Sequence, residues 1–168
     1  MASRGPITRL PQGQIAASMA GARFPWWFPL EIANRQLDAF TLNIDFSGAT
    51  ALGASTTANG AITVPGDAAH MILSTTAVVT NTDDTTFVAF GSRPITVALR
   101  TTGGGRDLST SAVHIDNWFG TAQQPKYWDS PKILSPNETL TVLLSNLSAT
   151  ARHVRLAFHG FKVFGFGR

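Results

Sequence analysis

Four histidines and ten carboxylates are the side chains of this 168-residue chain with the broadest chemical reach. His70, His114, His153 and His159 are separated along the chain, and no H-x-H or HExxH spacing joins them. Alternating strands can build a metal site from distant ligands, but this spacing predicts structural or surface histidines and no metal. Asp83 and Asp84 are neighbours in a turn-like segment, Asp45 falls in an alternating run, and Asp107, Asp116 and Asp129 fall among turn and loop residues. The only glutamates are Glu31 and Glu138, and nothing singles out an acid–base pair. The 20 threonines and 12 serines include no G-x-S-x-G elbow, so their abundance is not activation. Gly103, Gly104 and Gly105 lack the Lys-Ser/Thr of a phosphate loop and read as a hairpin tip. There is no cysteine, which excludes disulfides, thiolate metal sites and thiol catalysis. The expectation is a protein that is not an enzyme and carries no cofactor. Asn137-Glu138-Thr139 and Asn146-Leu147-Ser148 match the glycosylation pattern but read as ordinary turn asparagines.

Aromatic residues are the stronger lead. Phe24, Trp26, Trp27 and Phe28 fall within five positions, interrupted by Pro25 and followed by Pro29. Such a segment is extended, and its rings need a surface to cover them, on this domain or on a neighbour. A second group, Trp118, Phe119, Tyr127 and Trp128, falls in what reads as the longest irregular stretch, residues 116–131. These rings suit a plug at one end of a sandwich or a protein interface. They also suit a stacking surface for sugar rings, with Asp116, Asn117 and Asp129 beside them.

The elements that must position these groups are strands. Phe40, Leu42, Ile44 and Phe46 alternate with Thr41, Asn43 and Asp45, the pattern of a half-buried strand. Asn59-Gly60 signals a tight turn before a short strand at 61–64. Residues 69–80 are rich in β-branched side chains and predict a bent strand, or two joined at Ser74. Residues 85–90 resume the strand pattern, Ile95, Val97 and Leu99 alternate with polar partners, and 112–115 form a short strand. Leu140, Val142 and Leu144 alternate, as do Val154, Leu156 and Phe158. The half-step at His159-Gly160 predicts a bulge. About eight strands at short spacing leave no room for the helices of a parallel fold. The fold class is therefore all-β: an antiparallel sandwich, with a jelly roll of about eight strands favoured over a short meander. Residues 1–35, broken by prolines and glycines, read as an extended N-terminal arm, and 36–168 as the sandwich domain.

Charge divides the chain the same way. Residues 1–35 carry Arg4, Arg9, Arg23 and Arg35 against Glu31, residues 36–149 are net acidic, and 150–168 are basic. The net charge is +3, with three lysines in all, too sparse for the dense patch of a nucleic-acid binder. Opposed charge on separate regions suits protein contacts instead. No apolar run reaches the roughly 20 residues needed to span a bilayer, and no secretory signal is expected at the start.

One resemblance runs through residues 38–164. The segments Ile95-Thr96-Val97-Ala98-Leu99-Arg100, Arg106-Asp107-Leu108-Ser109 and Val113-His114-Ile115-Asp116-Asn117-Trp118-Phe119-Gly120-Thr121 resemble small proteins encoded among the head genes of tailed bacteriophages. So do Pro125, Pro131-Lys132-Ile133-Leu134-Ser135-Pro136, Leu140-Thr141-Val142, Leu144-Ser145-Asn146-Leu147-Ser148 and the closing Val154-Arg155-Leu156-Ala157-Phe158-His159-Gly160-Phe161-Lys162. The resemblance implies a jelly-roll capsid decoration, or cement, protein: made in the host cytoplasm, located on the virion surface and bound to a major capsid protein. A capsid repeats one patch many times, so an oligomer gains from multivalency, and a homotrimer suits a local threefold. The arm does not match the family pattern. Its Arg4, Arg9, Arg23, Phe24, Trp26, Trp27 and Phe28 are expected to reach a capsid or sister subunit. The alternative is a carbohydrate-binding sandwich module for attachment to a host surface, working through Trp118, Phe119, Tyr127 and Trp128.

Overall fold

The computed structural model describes residues 37–102 and 108–165. Eight strands follow in order: β1 (Leu37–Phe46), β2 (Thr57–Thr63), β3 (Ala69–Thr80), β4 (Ile95–Thr101), β5 (Val113–His114), β6 (Lys126–Leu134), β7 (Thr139–Asn146) and β8 (His153–Val163). A single helical turn, α1 (Ile115–Trp118), leaves the end of β5, and a 3-10 turn spans Gly48–Thr50. All pairings between the strands are antiparallel. The sheets run β1-β8-β3-β6 and β2-β7-β4-β5. The pairs 1·8, 2·7, 3·6 and 4·5 are those of one long hairpin rolled so that its successive rungs alternate between two sheets. That is a jelly roll, the arrangement favoured above over a short meander.

The alternation that predicts the strands also builds the core. Leu42, Ile44 and Phe46 of β1 meet Leu156 and Phe158 of β8, Val97 and Leu99 of β4, and Leu140, Val142 and Leu144 of β7 in one buried cluster. Phe119 belongs to this cluster too. Its ring stands edge-on to Phe158, with centroids 5.4 Å apart.

Four local expectations are corrected. Asn59-Gly60 is not a turn, because β2 runs straight through it opposite Leu143 and Val142. A Cβ at Gly60 would lie 2.6 Å from Ile44 Cγ2 and 2.7 Å from Phe46 Cζ, so glycine serves packing between the sheets there. Residues 85–90 form no strand; Phe87 makes one bridge to Thr80, and the rest is loop. The bulge near His159-Gly160 sits in the partner strand. Ile72 faces Gly160 and Ser74 faces His159, which leaves Leu73 as the extra residue. A Cβ on Gly160 would fall 1.7 Å from the Met71 carbonyl oxygen, so the glycine admits the bulged strand. Finally, the stretch 116–131 is not one loop: α1 holds Trp118, and β6 holds Tyr127 and Trp128.

Candidate functional site

The second aromatic group is split by the fold. Phe119 is fully buried and is corrected from a surface residue to a core residue. The physical reason is that α1 is one turn long, so Ile115 and Phe119, four apart, fall on the same inward face. Trp118, Tyr127 and Trp128 do converge. They line a cleft of about 620 Å³ between α1 and β6. Its wall is made by an irregular pairing. Ile72 of β3 faces Lys132, but Ser74 faces Tyr127, so residues 128–131 bow outward opposite Leu73 alone. Tyr127 is 61% exposed.

The two indoles are fixed from beneath. Their ring centroids are 5.3 Å apart at 60°. The hydroxyl of Thr75, a buried residue, donates to the Trp118 carbonyl and accepts from Trp128 Nε1 at 3.1 Å. The Thr75 carbonyl accepts from Gly120 N at 3.1 Å, which ties the end of α1 to β3. A Cβ on Gly120 would meet the Gln124 carbonyl at 2.0 Å, so this tight turn requires glycine. Nothing in the sequence marks Thr75, one threonine among many, as the residue that sets both rings.

Of the polar residues expected near these rings, Asn117 and Asp129 line the cleft and Asp116 does not. The Asp116 carboxylate turns the other way, accepting from Gly91 N at 2.7 Å and lying 3.2 Å from Arg93 Nε as an ion pair. Arg93 is almost fully buried, and its guanidinium also faces the Gly120 carbonyl at 3.5 Å. Burial pushes the guanidinium below its ordinary value, and the Asp116 charge opposes that. The pair anchors the loop 81–92, whose far side presents Phe87, 71% exposed, and Phe90, 54% exposed. Arg93 lies 5.2 Å from the centre of the Phe90 ring. Phe87 and Phe90 flank a groove floored by Ala77 and Val79.

The other end of that loop is pinned by charge. Asp84 accepts from Arg155 through both oxygens, at 3.2 and 2.7 Å, and from Thr80 Oγ1 at 2.6 Å. Arg155 and these hydrogen bonds hold the Asp84 carboxyl well below its ordinary range. Gly48 N donates to His153 Nε2 at 3.3 Å, and His153 Nδ1 lies 3.2 Å from Asp84 Oδ1. Asp83 turns away and accepts from the backbone and hydroxyl of Thr85. The adjacent carboxylates thus serve separate structural tasks.

The remaining histidines are dispersed. His159 bridges Thr41 and Thr76 across β1, β8 and β3, at 3.3 and 2.9 Å. His114 lies 3.4 Å from Asp116. His70 is buried edge-on to Phe40, and burial, reinforced by the charge of Lys162, pushes its pKa down to about 4. Among the described residues no three His, Asp or Glu side chains cluster as metal ligands would. Asn146 is buried with its amide turned to the carbonyls of Gly53 and Thr150 and its oxygen accepting from Ser148, which leaves it no role as a glycosylation acceptor. The arm residues Arg4, Arg9, Arg23, Phe24, Trp26, Trp27 and Phe28 lie outside the described residues, as do Gly103, Gly104, Gly105 and Asp107. Comparison with known protein families, curated protein sequences and solved structures gives no match for this chain.

Proposed function

We propose that this protein is a structural virion component that decorates and stabilises a bacteriophage capsid by binding, without turnover. The observation that carries the reading is the Phe87–Phe90 surface. Two large aromatic side chains stand in solvent on a loop held at one end by Arg93 and Asp116 and at the other by Asp84, Arg155 and His153. Exposed apolar side chains on a pre-ordered support favour association, because little ordering cost remains when a partner covers them. Aromatic anchors of this kind carry much of the energy of protein interfaces.

The partners in this reading are the major capsid protein and further copies of the chain, as a trimer on the particle surface. The arm supplies a second contact through Trp26, Trp27 and their neighbours, with Arg4, Arg9 and Arg23 meeting acidic rims. Sedimentation with purified capsids of the source phage tests it. The expected result is a discrete oligomer that pellets in fixed ratio to the major capsid protein. Phe87→Ser with Phe90→Ser is expected to abolish pelleting while leaving the melting temperature unchanged, and Trp26→Ser with Trp27→Ser to weaken it. A monomer that stays in the supernatant with every capsid preparation overturns the reading.

A further inference from the structure

We infer that the cleft between α1 and β6 is a saccharide-binding site, specific for pyranoses whose ring substituents are all equatorial. The inference is independent of capsid contact, since the cleft shares no lining residue with the Phe87–Phe90 groove.

The walls fix the ligand class. A pyranose with equatorial hydroxyls presents axial C–H groups on both faces and hydroxyls around its edge. It therefore needs aromatic surface against the ring and polar groups at the rim. Trp118 and Trp128 supply the first, inclined at 60° so that together they form an angled floor. Tyr127 stands beside them as a projecting third ring. The rim carries Asn117, Asp129, Lys126 and Lys132. Donors and acceptors of both signs face one space. That mixture suits hydroxyls, which donate and accept at once, better than a multiply charged ligand, which one sign would serve. A volume of about 620 Å³ lies within the range of small-ligand sites and has room for an oligosaccharide segment.

The arrangement is also pre-set. Surface tryptophans that rotate freely lose rotamer entropy on binding. Here the Thr75 hydroxyl engages the Trp118 backbone and the Trp128 indole together, from a position closed to solvent. Thr75 is a positioning residue that keeps the rings at their mutual angle without touching the ligand.

The test uses the full chain, titrated with cellohexaose and with chitohexaose, while the indole N–H signals of Trp118 and Trp128 are followed by NMR. Saturating shifts with a dissociation constant of about 1 mM or tighter are expected. Tyr127→Ala, at an exposed position that leaves packing intact, is expected to weaken binding about fivefold, and Trp118→Ala at least about tenfold. Thr75→Val is expected to weaken it several-fold and Thr75→Ser to restore it, a rescue that lost packing alone does not give. Indole signals that stay fixed with both oligosaccharides up to about 10 mM overturn the proposal. So does binding that Tyr127→Ala leaves unchanged. Shifts produced by adenosine monophosphate and by neither oligosaccharide reassign the cleft to flat nitrogenous rings and equally overturn it. Capsid pelleting that persists in Trp118→Ala separates this result from the decoration reading.

Discussion

The two sheets differ in regularity. In β2-β7-β4-β5, the β2–β7 and β4–β7 registers run without a break. In β1-β8-β3-β6, β3 slips against both its neighbours at one place, between Ile72 and Ser74. The cleft between α1 and β6 lies at that slip. Residues 128–131 bow out from it, Thr75 stands one residue beyond it, and Gly120 takes over the edge of β3 where β6 leaves off, pairing with Thr76. Both sheets close the core, and the broken one also carries the aromatic cleft. A bulge costs ladder hydrogen bonds but redirects a strand, and here it opens a cleft that a regular edge would close.

The sharpest way to break this contrast is to fill Gly160. An added Cβ would overlap the Met71 carbonyl, a backbone group with no rotamer to yield. Gly160→Ala is expected to cost more than about 4 kcal/mol in chemical denaturation, or to prevent folding. A loss below about 1 kcal/mol would mean that the bulge at Leu73 relaxes freely.

The next effect is pH-dependent and belongs to the same sheet. His70 lies beside the β3–β6 and β3–β8 pairings, and its folded value of about 4 is below the ordinary 6.5. The unfolded chain then binds the proton more readily than the folded one. Stability from this group is complete above about pH 6.5 and drains away as pH falls toward 4, by about 3 kcal/mol. His70→Leu is expected to flatten that part of the stability–pH curve, and an unchanged slope would place the acid sensitivity elsewhere.

The smallest effect belongs to the regular sheet. At Gly60 the nearest atoms to an added methyl belong to side chains, those of Ile44 and Phe46, and not to backbone. Gly60→Ala is expected to cost about 1–2 kcal/mol in the same denaturation experiment. If it proved as damaging as Gly160→Ala, the distinction between a side-chain clash and a backbone clash would fail.

Much of this molecule is legible in one dimension. Alternation places Phe40 to Phe46, Ile95 to Leu99, Leu140 to Leu144 and Val154 to Phe158 on strands, because a strand buries every second residue and the chain must supply apolar side chains at that period. The number of strands and the lack of room for helices then lead to a sandwich. What that pattern does not carry is the meaning of a glycine or an aromatic residue taken singly. Gly60 reads as a turn and is a packing site, because its constraint comes from Ile44 and Phe46, distant in sequence. Phe119 reads with Trp118 as surface and lies in the core, because a single helical turn at Ile115 faces it inward. Trp128 and Tyr127 read as loop and lie on a strand, because the pairing that makes them so resumes only across the bow at 128–131. Periodicity alone was enough for the all-β class, for the strands with clean alternation and for the residue types available for binding. Which of them meet came from the packed fold, because the register slip at Leu73 and the Thr75 hydroxyl act between segments that local periodicity does not connect.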